Sequence, residues 1–334
     1  MNDYNGADNS GIPPQASRGP EVILVEGDRT LYELPPPPRH RRVLRPAVLF
    51  GATCLSTVFA GGAVETYYVF SLFFRHSDLF LHSLAIAIPY GVWQGLQFAV
   101  PLMTILVCHE AGHFVQAWRH GVYASYPYFI PWPVPPLGTM GAVIAMEPRI
   151  GHRRALFDIG ITGPLVGLAP TIIFCVVGLS WSEVLPIHPR ATRYGDPLVM
   201  RFMAELICGP IPPGSDVFIH KMAFAGWAGL LLTSINLMPI GQLDGGHVLY
   251  SLLPRWGNML MRLFYLAAAI IVVAFWRTFY TYTLLVILLA LMGPAHPPTD
   301  DDREPLGWWR FVLGWATLAF LPFGFTPTPF ILPP

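Results

Sequence analysis

Long apolar runs separated by short polar connections dominate the chain from residue 46 onward. They fall at about 46–70, 93–118, 157–180, 217–253, 259–275, 279–293 and 306–323. A helix needs about 20 apolar residues to cross a hydrocarbon core of about 30 Å, so most of these runs predict spanning helices. The run at 279–293 is short and has to tilt or pair closely with its neighbour. Residues 78–92 are apolar as well, but Pro89 and Gly91 predict an interfacial segment leading into the next helix. The pattern as a whole predicts an all-α polytopic membrane protein with six or seven transmembrane helices.

One stretch departs from the helical pattern. Between Tyr126 and Pro136 stand five prolines, Pro127, Pro131, Pro133, Pro135 and Pro136. A proline ring lacks the amide donor and clashes with the preceding turn, so no helix is expected there. Gly138 to Ile144 follows as a β-capable run, which predicts a short β or loop segment between two spans.

The ends are different in kind. Residues 1–45 are polar, rich in Gly, Pro and Asn, and close on Pro35 to Pro38; they are expected to be a disordered tail. Within that tail, Glu21 to Glu33 alternates enough to add a strand to a partner's edge. The first fifteen residues have neither a basic n-region nor an apolar h-region, so a cleavable signal peptide is not expected and insertion falls to the first span. The expected plan is a cytoplasmic tail over 1–45, a transmembrane domain over 46–324 with its catalytic core at about 93–255, and a short tail over 325–334. The connection at about 181–217 is shorter than the ~50 residues a globular insertion needs. No internal repeat is visible.

Composition agrees with the runs. Charged residues make up 12% of the chain and the mean hydropathy is +0.49, where a soluble domain carries charge on about a quarter of its residues. Cations and anions balance at 20 each, which gives no basic field for a nucleic-acid partner. Arginine placement supplies the orientation. His40, Arg41, Arg42 and Arg45 flank the first span, and threading from there puts Arg119, Arg149, Arg153, Arg154, Arg255, Arg262 and Arg303 on the same side. That side is expected to be cytoplasmic. The opposite side receives Arg75, Arg190, Arg193, Arg201, Lys221 and Arg277. Cys54, Cys108, Cys175 and Cys208 form no CxxC pair and are expected to behave as small hydrophobes.

The second main run carries His109-Glu110-Ala111-Gly112-His113, an HExxH pattern. Residues four apart share a helix face, so His109 and His113 can direct two imidazoles at one zinc ion, with Glu110 beside them as general base. Apolar sequence on both sides makes the three polar residues costly, and residues of this kind inside a spanning helix are functional by default. A zinc site needs a third protein ligand. The candidate is Asp244, in Asn236-Leu-Met-Pro239-Ile-Gly241-Gln-Leu-Asp244-Gly245-Gly246, where proline and glycine are expected to loosen the helix. A zinc ion with ionised Asp244 and Glu110 sums to zero charge, which a bilayer tolerates. His247, three residues further on, is the alternative ligand.

In these two motifs, HEAGH and NLMPIGQLDGG, the chain resembles the site-2 protease family of intramembrane zinc metalloproteases. Phe157 to Gly167, with its Gly163-Pro164 step, resembles the segment opening the family's middle core helix. The resemblance covers roughly residues 93–300. It implies His109, His113 and Asp244 as ligands of one zinc ion per chain, Glu110 as catalytic base, and Asn236 as a donor to the substrate carbonyl or oxyanion. It also implies that the segment after Tyr126 is re-entrant and lies near the active site, where a strand edge could hold an unwound substrate by backbone pairing. Gly163 and Gly167 are expected to be close-packing positions, Asp158 a helix cap, and Asp300 to Asp302 a solvated loop. No segment is long enough to be a PDZ or CBS domain.

The expected function is that of an endopeptidase cutting in or near the transmembrane segment of a membrane-tethered protein, in regulated intramembrane proteolysis. Its partners would be that substrate and the lipid bilayer, with no nucleic acid, and its setting a prokaryotic plasma membrane. The alternative is a metal-ion transporter using the same His and Asp ligands, a class that usually shows ligands in several spans and a two-half repeat.

Overall fold

A computed structural model describes residues 43–77, 80–146, 150–187 and 193–331. The expected tail, with its Glu21–Glu33 segment, lies outside the described residues apart from 43–45. In chain order the elements are α1 (Leu44–Ser77), α2 (Phe80–Arg119), β1 (Tyr128–Pro131), β2 (Thr139–Val143), α3 (Arg153–Ser180), β3 (Glu183–Pro186), β4 (Arg193–Tyr194) and α4 (Leu198–Cys208). They continue with β5 (Ser215–Phe218), α5 (Lys221–Asn236), α6 (Asp244–Leu252), α7 (Gly257–Ala274), α8 (Trp276–Phe279) and a single 3-10 turn (Tyr280–Tyr282). The last are α9 (Thr283–Met292), α10 (Trp308–Ala319), α11 (Leu321–Gly324) and β6 (Phe330–Ile331). The protein is mostly helical, and the three sheets are two-stranded and antiparallel.

Among the described residues, four helices are long and apolar enough to cross a membrane: Leu44–Arg75, Phe80–Arg119, Arg153–Ser180 and Gly257–Ala274. The stretch Trp276–Met292 is apolar and shorter. Residues 80–92, expected at the interface, are instead the first turns of α2, which runs unbroken over 40 residues with Pro89 and Pro101 inside it. Packing against α1 overrides the local signal. A methyl group on Gly61 would stand 2.7 Å from the Phe98 ring, and Gly62, Gly91 and Gly95 lie directly against backbone or side-chain atoms of the facing helix. Small residues at these positions let the two helices touch along their length.

The same device joins the helices of the core. Gly112 of α2 abuts the Thr162 carbonyl of α3 at 2.7 Å from where its Cβ would be, and Gly226 of α5 abuts Cys175 of α3 at 2.5 Å. Gly229 meets Thr171 in the same way at 2.8 Å. Phe98, Leu102, Trp227 and Leu230 fill the centre of this packing and are fully buried. All four cysteines are free thiols, as expected of small apolar residues.

Two local expectations change. Asp158 does not cap α3, whose first residue is Arg153 and whose N-cap is His152. The helix starts earlier because Arg153 donates to the carbonyls of Ser251 and Leu252 at the end of α6, satisfying acceptors that a helix terminus leaves open. Asp158 instead lies one turn in, where it accepts two hydrogen bonds from Arg310 at 2.7 and 2.9 Å and faces His120 at 3.0 Å. The acidic run is not merely solvated either. Asp302 accepts from Tyr250 at 2.8 Å and Thr299 at 2.6 Å, and Asp301 pairs with Gly151 and His152. Residues 325–331 return to the core, since β6 pairs with β4 and the Thr326 carbonyl accepts from Tyr282.

Candidate metal centre

His109 and His113 occupy successive turns of α2 and are both buried. One spanning helix thus presents two imidazoles to the same point, as the i, i+4 spacing requires. Asp244 arrives from a different direction. Helix α5 stops at Asn236, the chain runs irregularly through 237–243, and α6 starts on Asp244 itself. The break is therefore narrower than the sequence suggests, and Gly245 and Gly246 lie within α6. Their role is close approach: each lies directly against carbonyls of the returning loop, at Leu237 and Gly241, where a side chain would collide. Gly241 makes the turn with φ +55° and donates its amide to the Pro294 carbonyl at 3.2 Å.

The three groups meet. His109 Nε2 stands 3.1 Å from Asp244 Oδ2, His113 Nε2 stands 3.3 Å from Asp244 Oδ1, and the two Nε2 atoms are 3.1 Å apart. Ligand atoms on a tetrahedral zinc at 2.0–2.1 Å are separated by about 3.3 Å. These separations, taken to the two different oxygens of Asp244, are close to what this ion needs, and one ligand atom from each residue lies within 4.8 Å of the others. Tautomers agree as well. His113 Nδ1 lies 2.7 Å from the Ile159 carbonyl, which can only accept, so its proton sits on Nδ1 and Nε2 keeps a lone pair. Lone pairs and a carboxylate turned on one point repel one another unless a cation is placed between them. The residues present fit zinc.

Glu110 and Asn236 complete the surroundings. Both line a cavity of about 340 Å³ together with the three candidate ligands. Glu110 is buried, and the Asn236 side-chain amide lies 3.3 Å from His109 Nε2, at the end of α5. His247 faces the same cavity but does not join the three groups whose ligand atoms lie within 4.8 Å of one another. Its Nδ1 is taken up by His296 Nε2 at 2.7 Å.

Gly163 and Gly167 are close-packing positions of a particular kind. Gly163 lies against the His113 ring, and a methyl on Gly167 would be 3.0 Å from the His109 Cβ. The wall formed by His296, Pro297 and Pro298 belongs to a stretch that in sequence resembles a segment following the family's core and carries no assigned role there. Its signal was the His-Pro-Pro run itself, a rigid segment with an imidazole, whose destination only the tertiary fold reveals. Ala142, Val143 and Ile144 also reach the cavity.

A centre of this composition, buried within helices of membrane length, puts the protein in the class of integral-membrane metalloproteins built on HExxH. A family model narrows this further: that of peptidase family M50 matches residues 97–277, just over half of the chain and every helix that carries the centre. The chain belongs to peptidase family M50, the family of the site-2 proteases. Zinc is accordingly its metal.

Curated relatives agree. The probable zinc metalloprotease EGY2, chloroplastic, of Arabidopsis thaliana is 27% identical over 308 residues, covering 86% of this chain and 52% of that protein. The protein of the same name from Oryza sativa subsp. indica is 26% identical over 321 residues, covering 92% and 56%. The probable zinc metalloprotease EGY1, chloroplastic, of Arabidopsis thaliana is 34% identical over 165 residues, covering 46% and 28%. The chain spans about half the length of the curated relatives it matches over most of its own length. No solved structure gives a significant match. The metal-transporter alternative finds no support in the family or in these relatives.

Proposed function

We propose that the protein is a zinc endopeptidase that hydrolyses a peptide bond in or beside the transmembrane segment of a membrane-tethered substrate. One observation carries this: His109, His113 and Asp244 converge to ligand spacing inside a cavity that also holds Glu110 and Asn236. His109, His113 and Asp244 hold the metal. Zinc bound there supplies Lewis-acid polarisation of the scissile carbonyl and of the attacking water. Glu110 accepts the water's proton on its carboxylate and returns it to the departing nitrogen. Asn236 donates its side-chain amide to the oxygen that gains negative charge.

An α-helical substrate hides its amides, so it has to unwind before reaction. Among the described residues strand β2 pairs on one edge, with β1, and its end reaches the cavity through Ala142 and Val143. An opened substrate segment adds to the free edge by backbone pairing.

The helix contacts support seven crossings. Pairs facing each other at 113 and 163, 178 and 223, and 160 and 247 set α3 antiparallel to α2, and α5 and α6 together antiparallel to α3. Helices α1, α2, α3, the broken pair α5–α6, α7, the stretch Trp276–Met292 and α10–α11 then each cross once, within a domain of about 46–324. Arg119, Arg153, Arg154 and Arg310 gather at one end, which we assign to the cytoplasm along with the N-terminus. His109 lies ten residues before Arg119, about 15 Å from that end along α2, which supports cleavage between the cytoplasmic surface and the middle of a core of about 30 Å. The relatives' names place those plant proteins in chloroplasts, and they lend no support to a prokaryotic plasma membrane; a multi-pass membrane protein is supported by the four helices of membrane length.

Glu110→Gln tests the assignment. The amide cannot accept the water's proton, whereas the imidazole ligands are untouched. The purified variant should keep its zinc and lose cleavage of a membrane-tethered model polypeptide, by about 10²-fold or more. Cleavage at near the unmodified rate would refute the role given to Glu110.

A further inference from the structure

The chain of hydrogen bonds behind His247 fixes what its ring presents to the cavity. His296 Nδ1 lies 2.5 Å from the carbonyl oxygen of Pro297. That oxygen has no proton to give, so the hydrogen is on His296 Nδ1. His296 is buried, which favours the neutral imidazole. Its Nε2 therefore holds a lone pair, and His247 Nδ1, 2.7 Å away, is the donor to it. The remaining nitrogen of His247, Nε2, is then an acceptor. Among the described residues no hydrogen bond engages it, and the ring lines the cavity that holds the metal centre.

This arrangement is rigidly held. The backbone amide of His296 donates to Asn258 Oδ1 at 2.8 Å, and Asn258 Nδ2 returns a bond to the His296 carbonyl at 3.1 Å. Tyr250 stacks on the His296 ring with centroids 4.9 Å apart, and its hydroxyl is fixed by Asp302. On the other side, Gly160 of α3 lies against the His247 Cβ, 2.7 Å from where its own Cβ would be. A side chain locked by packing and by a second layer of hydrogen bonds is what a binding site needs of its contacts.

Of the other polar side chains of the cavity wall, all but the exposed Gln242 already have a use. His109, His113 and Asp244 turn their lone pairs to one point, Glu110 handles a proton, and Asn236 offers a donor. An unwound peptide brings N–H groups as well as carbonyls, and an N–H left unpaired at membrane depth is costly. We propose that His247 is a substrate-positioning residue, whose Nε2 accepts a hydrogen bond from a backbone N–H of the unwound substrate next to the scissile bond. This rests on the peptidase function proposed above.

The test uses the purified full chain in detergent micelles and a synthetic transmembrane peptide that it cleaves. In His247→Asn the short amide keeps a donor near the place of Nδ1 but has nothing at the place of Nε2. In His247→Gln an amide oxygen reaches that place. We expect His247→Asn to keep full zinc and lose about tenfold in kcat/KM, the effect of one lost hydrogen bond, and His247→Gln to recover most of it. Replacing single backbone N–H groups of the peptide by ester oxygens should cost about tenfold at one position beside the cut in the unmodified enzyme. The same ester should cost nothing further in His247→Asn. The proposal is overturned if His247→Asn cuts normally, if it loses zinc, if the two variants are equally impaired, or if ester and amide peptides differ as much in His247→Asn as in the parent. Failure of the unmodified zinc-loaded chain to cut any tethered peptide would instead overturn the peptidase function, and this proposal with it.

Discussion

Gly163→Ala is the sharpest available test of how the metal centre is built. An added Cβ at this position would lie 2.5 Å from Cδ2 of His113 and closer still to Cε1 and Nε2, whereas ordinary contact begins at 3.4 Å. The His113 Nε2, only 2.0 Å away, therefore has to retreat by about 1.4 Å to reach ordinary contact, against a tolerance of about 0.2 Å in metal–ligand distance. Neither neighbour can give way cheaply. His113 is held by its bond to the Ile159 carbonyl at 2.7 Å. Withdrawal of α3 would open that bond together with Gln116–Thr162 and His120–Asp158. The overpacking itself costs about 1–3 kcal/mol, small enough for the protein to stay folded. Losing a direct ligand should weaken zinc binding by more than the 10–100-fold typical of losing only a group that orients one. The assay is zinc stoichiometry after equilibration in chelator-buffered zinc, with thermal unfolding recorded alongside. Gly151→Ala, where an added methyl meets nothing within 4 Å, serves as control. Gly163→Ala with full zinc occupancy at the parent's affinity would refute the packing argument.

Asp244→Ala should lose both zinc and activity while His247→Ala keeps its zinc, and metal analysis of the two purified proteins decides which side chain is the third ligand. Cysteines introduced beside Arg154 and beside Arg193 should be labelled from opposite faces of the membrane by an impermeant reagent; labelling of both from outside would undo the assigned orientation. Ile144→Pro should reduce cleavage several-fold with zinc retained. Ala145 turns its backbone groups to Ser125, so strand alternation turns those of Ile144 away, toward the substrate. Unchanged activity would show that this edge holds no substrate.

The helices of the membrane domain were legible because burial in lipid demands long apolar runs, and that signal needs no tertiary information. The proposed ligands were legible as candidates for a related reason. His109, Glu110 and His113 stand out only because charge and imidazole are costly among Val, Leu and Phe, and Asp244 because proline and glycine mark a broken helix around it. What could not be read were features decided between elements. Pro89 argues locally against a helix, yet α2 runs through it, because the glycines at 62, 91 and 95 hold α1 alongside. Asp158 has the chemistry of a cap, but a partner 152 residues away, Arg310, claims both of its oxygens.

The break between α5 and α6 shows how the two kinds of information combine. Sequence alone makes Gly245 and Gly246 helix-weakening residues, and in isolation they are. In the fold they permit the first turn of α6 to rest on the carbonyls of Leu237 and Gly241, which a larger residue would push away. That contact sets Asp244 as the first helical residue, at the depth of His109 and His113. Amides at a helix N-terminus carry partial positive charge, which favours a carboxylate there. The break therefore places Asp244, the proposed acidic ligand, sets Asn236 at the end of the preceding helix, and leaves His247 one turn further on facing the same cavity. Shifting the start of α6 by one residue would turn the Asp244 side chain by about 100° around the helix axis and separate it from both imidazoles. The glycines that look most like flaws in a transmembrane helix are thus the residues that bring Asp244, the proposed third ligand, to the two imidazoles.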